Sequence, residues 1–474
     1  MSFHQTSFNQ NANRVAFDKD HRQRINFNIA RYDTAVLKGK KIFSNLELAR
    51  QRAASIKYKS IYAIDKFLIE FETNFTRNGG KIIWAKDDAE ARKAVLQLFE
   101  HHQVSKVVKS KSMTSEEIGL NEALLEKDIE VVETDLGEYI VQLADEKPYH
   151  IVTPAMHKSK NDIGNLFHEK FGLDPASQPE QITAFVRNKL KKDFFEAQAG
   201  ITGANFLVAD TGSVALTENE GNGLMTMAFP NLHIVLAGIE KIIPSIDELD
   251  LLWPLLATHG TGQAMTAYNS IISGPAKDHE HSGPKQMVVI LIDNGRTELL
   301  AKTRQRIALS CIRCGACLNA CPVYRNIGGH TYETTYSGPI GSVITPHMRG
   351  MKSYQHLSFA STLCGQCTEV CPVKIPLHEL LVLNRNDAVK EGHIKSSERF
   401  LMNSSRKLLL NRKLMNLGGR STKNMVMKYF IGKGWGDRRE LPNFAPKTFG
   451  KLWKEHEEKL KAGKIQKAPK KKID

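Results

Sequence analysis

Cys311-Ile-Arg-Cys314-Gly-Ala-Cys317-Leu-Asn-Ala-Cys321-Pro322 is a complete C-x2-C-x2-C-x3-C-P run. Three thiolates wrapped in one tight turn can each reach a different iron of a cubane cluster. The fourth is displaced onto the following segment, and in two-cluster proteins it ligates the other cluster. A second group, Cys364-Gly-Gln-Cys367-Thr-Glu-Val-Cys371-Pro372, repeats the C-x2-C-x3-C-P ending. Cross-wiring the two groups assigns Cys311, Cys314, Cys317 and Cys371 to one cluster and Cys321, Cys364 and Cys367 to the other. Structural zinc also uses C-x2-C pairs, but it takes four ligands and has no need of a third cysteine followed by an offset Cys-Pro. The 42 residues between the groups are long for a minimal ferredoxin and point to a helical two-cluster domain inside a larger electron-transfer protein.

The second cluster is one thiolate short. A complete run would carry cysteine three residues before Cys364, where the chain has Ser361. Ser361 Oγ as a ligand, a three-iron cluster, or an iron open to an external ligand all remain open. We favour a four-iron cluster with a non-cysteine or external fourth ligand. His356 is near in sequence, but no spacing argument supports it.

Outward from the cysteines the pattern changes. On the N-terminal side, strand-like and helix-like segments alternate. Strands are expected at Lys81–Ala85, Ser105–Lys109, Ile129–Glu133, Tyr139–Leu143, His150–Thr153, Phe206–Ala209, Ser213–Thr217, His233–Ala237 and Met287–Ile292. Helices are expected over Ser44–Thr76, Asp87–His101, Ser115–Lys127 (with Thr114 and Glu117 spaced as a capping box), 160–171 and 179–198. This alternation argues an α/β domain with a largely parallel sheet. From Glu298 strand signals stop, and Leu299–Leu309 and Leu377–Lys390 read as helices flanking the cysteines. Residues 1–40, rich in Asn, Gln, Arg and Asp, are expected as an extended arm. Helical patches at Phe400–Leu410 and Lys451–Lys461 precede a Lys-rich tail, Lys464–Asp474, expected to be disordered. The expected organisation is an arm and helix over 1–75, an α/β domain over 76–300, a helical cluster domain over 301–395, and a basic segment over 396–474.

Composition narrows the function classes. The chain of 474 residues is 41% hydrophobic and 25% charged, ordinary for a globular protein. Its net charge of +15 is concentrated at one end, since residues 401–474 carry 20 Lys and Arg against 6 Asp and Glu. That excludes a basic nucleic-acid-binding core, and the tail lacks interleaved aromatics or a binding motif. We expect it instead to wrap the cluster domain and to offer a basic face to acidic partner subunits or an anionic membrane surface. No stretch approaches the ~18 apolar residues of a membrane span. The polar N-terminus lacks an apolar signal region, and the closely spaced cysteines do not form a disulfide framework, so a cytoplasmic protein with thiolates available to metal is expected.

Two segments of the α/β half suggest ligand contacts. Val107-Val-Lys-Ser-Lys-Ser-Met-Thr-Ser-Glu-Glu117 leads from a strand through Lys109, Lys111 and Ser112 into a helix start, where free amides and lysine make an anion site. In Gly200-Ile-Thr-Gly203, Asp210-Thr-Gly-Ser213 and Thr217-Glu-Asn-Glu-Gly-Asn-Gly223, glycine and asparagine permit tight turns. Glu218 and Glu220 sit at the expected end of a strand, where open sheets bind ligands. A capped helix start and a plain turn are the ordinary alternatives. No Walker loop or dinucleotide fingerprint is present.

These segments, with Glu133-Thr-Asp-Leu-Gly-Glu-Tyr-Ile140, Arg325-Asn-Ile-Gly-Gly-His330 and the two cysteine groups, resemble the lactate utilization protein B family. The resemblance implies a NagB/RpiA/CoA-transferase-like α/β (LUD) domain followed by a helical ferredoxin-type domain. It also implies two [4Fe–4S] clusters on the seven cysteines and a role passing electrons during L-lactate oxidation to pyruvate. A cysteine-rich protein and a second LUD-domain protein are the implied partners. Serine in place of cysteine at Ser361 is then a family trait. Two other functions stay in view. In one, this chain itself oxidises L-lactate, with Lys111 holding the carboxylate and Glu218 or Glu220 as base. The other is a CoA-transferase-like enzyme with structural clusters, suggested by fold analogy alone.

Overall fold

The computed structural model describes residues 2–430, 432–435 and 440–462, and the chain divides into two units, one ending at His393 and the other beginning at Ile394. The first unit is built on ten strands: β1 Lys81–Ala85, β2 Lys106–Lys109, β3 Glu130–Glu133, β4 Ala199–Gly203, β5 Phe206–Val208, β6 Ser213–Glu218, β7 Leu232–Gly238, β8 Ile242–Ile243, β9 Tyr268–Ile272 and β10 Gln286–Ile292. Six of them form a parallel sheet in the order β1-β10-β7-β4-β2-β3. The central β7 is buried at all seven positions, and β10 at its last six, as expected for strands covered on both faces. A smaller mixed sheet, β8-β5-β6-β9, pairs β5 with β8 in parallel and the rest antiparallel. No strand follows β10 among the described residues, and the cysteine region is helical.

Several expectations are corrected. Residues 1–40 are not an extended arm but two helices, Phe3–Val15 and Lys19–Gly39, capped by the side chains of Ser2 and Asp18. Their apolar stripe is sparse (Phe8, Ile25 and Ile29 are the buried hydrophobics), so polar composition masked the period. Tyr139–Leu143 lies in a helix, Leu136–Leu143, started by Asp135, whose carboxylate accepts from the Glu138 amide at 3.0 Å. A short apolar run does not by itself separate strand from helix. His150–Thr153 forms a bend in which the Val152 amide donates to His150 Nδ1 at 3.1 Å. The helix over Ser44–Thr76 breaks at Ala63 into Leu46–Tyr62 and Ile64–Arg77.

Ser115–Lys127 likewise splits at Gly119 into Met113–Glu117 and Leu120–Leu125, and the cap is Ser112 rather than a Thr114–Glu117 box. Leu299–Leu309 divides into a helix, Arg296–Ala301, and a 3-10 segment, Gln305–Ser310. Gly200–Gly203 belongs to β4 and is no turn. Glycine is needed there because a Cβ on Gly200 would sit 2.0 Å from the Thr226 carbonyl oxygen of the overlying helix Asn222–Ala228.

The second unit contains helices Ser396–Leu410, Arg412–Asn416, Arg420–Phe430, Gly432–Trp435 and Phe449–Lys461, and none of its residues whose side chains are described is buried. The tail Lys464–Asp474 lies outside the described residues. No described helix is long and apolar enough to cross a membrane.

Candidate metal centre and adjoining cavity

The first cysteine run is shaped by local backbone. Cys311 closes the 3-10 segment, Arg313 (φ +62°) and Gly315 (φ +78°) take left-handed conformations, and a short helix, Ala316–Ala320, follows. Cys321 then caps the helix Pro322–Ile327. Gly315 is forced twice over, by its φ and because a Cβ would press on Val152 and His150 at 3.0 and 3.2 Å. The second run repeats the device, with Gly365 left-handed (φ +84°) ahead of the helix Gln366–Glu369.

All seven thiols are free of disulfides. They influence one another in two separate groups. Cys314 and Cys317 feel Cys311 and Cys371, and Cys371 feels Cys311. Cys321 feels Cys364, and Cys367 feels Cys321 and Cys364. Four of the seven lie in the first group and three in the second. Burial pushes Cys367 up to about 11 and Cys371 up to about 12, and raises Cys314, Cys317 and Cys321 as well. Cys364 is exposed, and its thiol is lowered by the Gln366 amide and the Thr362 side chain.

Buried thiols held together without a cation resist ionisation, and bound iron supplies the missing positive charge, so the donor set fits iron–sulfur clusters. Backbone amides already aim at the sulfurs. Arg313 donates to Cys311 Sγ at 3.4 Å and Ile375 to Cys371 Sγ at 3.3 Å. The Ile340 amide bonds Cys317, which gives Gly338-Pro-Ile-Gly341 a role at the thiols: it forms the first turn of the helix Gly338–Met348.

Ser361 is half-buried, and its Oγ accepts from the Leu363 amide at 3.1 Å. His356 packs on Phe8, with ring centroids 5.2 Å apart.

Behind Cys311 lies a buried ionic network. The Arg313 guanidinium stacks on Tyr336 at 4.2 Å and pairs with Glu240 at 3.2 Å. Arg296 joins Glu240 to Glu117, contacting the latter at 2.8 Å. Burial opposes the Glu240 charge, but Arg296 and Arg313 outweigh it and hold the carboxyl at about 2. Lys57 donates to the carbonyl oxygens of Glu240 and Ile242 at 2.9 and 3.1 Å, and burial lowers its amine to about 7. Burial, with Arg313 adding to it, lowers Lys241 to about 8.

Beside this network a cavity of about 390 Å³ opens between the ends of β4 and β6 and the first cysteine loop. Lys111, Lys241 and Arg313 line it together with Asp135, Glu218, Glu220 and Cys314. Lys111 donates to the Val152 carbonyl oxygen. Glu218 accepts from the Gly223 and Leu224 amides at 2.7 and 2.8 Å, and Glu220 from the Leu136 amide at 3.1 Å. Burial raises both carboxyls, and with Asp135 adding repulsion Glu220 reaches about 7.

The structure thus unites Lys111 with Glu218 and Glu220, which the sequence kept in separate segments. It removes Lys109 from the proposed anion site, since Lys109 is buried against Glu133 at 2.7 Å and Ser115 Oγ at 2.9 Å. Sequence reasoning missed Asp135, Lys241 and Arg313. A signal for Lys241 existed, a charged Glu240-Lys241 pair inside an otherwise apolar Ile239–Ile243.

Residues 68–292 match the LUD domain family, and residues 307–375 match the 4Fe-4S dicluster domain family. Lactate utilization protein B from Bacillus cereus strain AH820 is 39% identical over 431 residues, covering 89% of this chain and 91% of the relative. The protein of the same name from Bacillus cytotoxicus is 40% identical over the same span and coverage. The chain belongs to the lactate utilization protein B family. A DUF162 family protein from Deinococcus radiodurans, solved as a crystal structure, aligns over 48% of this chain and 98% of its own, with 14% identity and a TM-score of 0.28. In this member of the lactate utilization protein B family all seven cysteines fall inside the dicluster match. Lys111, Glu218, Glu220 and Lys241 fall inside the LUD match. The cavity lies where the two matched regions meet.

Proposed function

We propose that this protein is the iron–sulfur electron-transfer subunit of a multi-subunit system that oxidises L-lactate to pyruvate. Two [4Fe–4S] clusters, when bound, supply one-electron acceptance and donation. Cys311, Cys314, Cys317 and Cys371 would hold one, and Cys321, Cys364 and Cys367 the other. The observation that carries this reading is the repeated cysteine loop, in which left-handed Gly315 and Gly365 each lead into a short helix amid seven disulfide-free thiols. Cys317 and Cys321 sit in one short stretch but belong to different groups, which keeps the two centres close. Amides from Arg313, Ile340 and Ile375 donate to the sulfurs, and hydrogen bonds of this kind set a cluster's potential. The expected partners are other lactate-utilization subunits, a cysteine-rich protein and a second LUD-domain protein.

Electron paramagnetic resonance on anaerobically prepared protein, with iron and sulfide counts, tests this reading. Counts matching two four-iron clusters, and reduction of their signals by L-lactate once the partner subunits are added, are expected. Clusters that stay oxidised with lactate and all partners present would overturn it.

A further inference from the structure

Two cations in the cavity beside Cys314 are left unanswered by the rest of the protein. The Lys241 ammonium makes no hydrogen bond or ion pair among the described residues, and its half-buried side chain lines the cavity where the β7–β8 connection meets the cysteine loop. Arg313 is only 10% exposed and pairs with Glu240 through Nη2, while its Nε and Nη1 are buried with no partner. Orphaned buried N–H groups are costly, and where they and an unpaired ammonium line one cavity they point to a ligand that completes them. Lys111 is a third cation lining the cavity. Glu218 and Glu220 line it too, fixed by amides at 2.7 to 3.1 Å.

We propose that this cavity binds a small 2-hydroxy- or 2-oxo-carboxylate, with its carboxylate held by Lys241 and Arg313 and its 2-oxygen turned toward Glu220. The choice of acid rests on the lactate-oxidation reading; the requirement for an anion rests on Lys241 and Arg313 alone. A carboxylate brings acceptors only, which suits guanidinium and ammonium donors, and Arg binds it in a planar, two-pronged manner. The hydroxyl then offers the one donor that a glutamate can accept. A phosphate dianion fits less well, because Asp135, Glu218 and Glu220 line the same small space. At about 390 Å³ the cavity lies in the range of small-molecule sites, with room for water around a three-carbon acid. Cys314 lines it too, so the bound acid sits against the four-thiol group.

Calorimetric titration of the anaerobic, cluster-loaded full chain without partners tests the site, using L-lactate, pyruvate and inorganic phosphate as probes. One saturable site for lactate or pyruvate is expected, weakened about tenfold or more in Lys241→Ala, as for loss of a charge-assisted hydrogen bond. Lys241→Ala removes a half-buried charge that pairs with no described residue, so the variant should fold and keep its iron. Exposed Lys86→Ala should bind as the parent does. Binding should also perturb the resonance signal of one reduced cluster.

No binding of either acid, phosphate binding more tightly than both, or full affinity in Lys241→Ala would each overturn the proposal. Loss of the site with intact lactate-dependent cluster reduction in the presence of partners removes only this inference. Binding without any such reduction removes the relay reading and leaves the site.

Discussion

The two thiol groups grow from the same C-x2-C-x3-C-P element and end in different surroundings. Around the four-thiol group, Cys314, Cys317 and Cys371 are buried, a charged network stands behind Cys311, and a cavity reaches Cys314. The three-thiol group has Cys321 and Cys367 buried but Cys364 at the surface. The motif therefore fixes which sulfurs converge, while the packed α/β half fixes how far each group is insulated. Under the proposed function the insulated group faces the cavity and the exposed one faces outward.

The largest expected effect comes from taking a thiol out of each group in turn. Because metal binding is part of the folding free energy, losing a buried ligand costs stability on the order of several kcal/mol. Cys317→Ser should lose about half the iron and melt well below the parent, whereas Cys364→Ser, altering an exposed ligand, should lose less stability. Iron counts and thermal unfolding of the anaerobic proteins check this. Equal losses in both variants would break the contrast between the groups.

Next in size is the buried ionic network beside the four-thiol group. Arg296 lies between Glu117 and Glu240 with 1% of its side chain exposed. Arg296→Met leaves buried Glu117 without its cation and Glu240 with Arg313 alone, which costs about 3–5 kcal/mol. Urea unfolding should show that drop. Removal of the surface pair Lys86–Glu90 should leave the midpoint unchanged. A small effect for Arg296→Met would mean that the network does not brace this side of the molecule.

The contrast also explains what could be read from the chain. Cysteine spacing is covalent and local, so a dicluster domain was legible from the two repeated cysteine runs. Long apolar runs such as β7 and β10 were legible because burial on both faces leaves no polar interruption. The cavity was only half legible. Lys111 and Glu220 could be found by their turn-like settings. Lys241 and Arg313 acquire meaning from neighbours far along the chain, and no periodicity encodes that. Lys109 looked like a ligand group because sequence cannot show Glu133 on the adjacent strand. The N-terminal helices were missed for a related reason, since so few of their residues face inward.

A smaller effect tests the cavity's acidic wall. Burial, with Asp135 beside it, raises Glu220 from 4.5 to about 7, so the folded state holds a proton that the unfolded chain releases. Its contribution is therefore fully present below about pH 4.5 and is lost as pH rises through about 7. Allowing for solvent screening, the change is about 2 kcal/mol. Glu220→Gln should flatten the stability profile between these pH values, measured by urea unfolding across that range. An unchanged slope would place the titration elsewhere.

The smallest expected effect concerns the position where the two groups differ in ligand count. Ser361 stands where an eighth cysteine would complete the second run, and its Oγ accepts a hydrogen bond from the Leu363 amide at 3.1 Å. An alkoxide ligand would have to give up that hydroxyl's proton, and among the described residues no cation bonds the Ser361 hydroxyl to favour it. Arg385 binds the Ser361 carbonyl oxygen at 3.1 Å, leaving the hydroxyl to its turn. Ser361→Ala should then keep the iron count and cluster spectrum of the parent and lose only the turn's hydrogen bond, about 1 kcal/mol. A shifted spectrum for the three-thiol cluster, with the four-thiol signal unmoved, would make Ser361 its fourth ligand. The difference between the groups would then be one of ligand atom rather than ligand number.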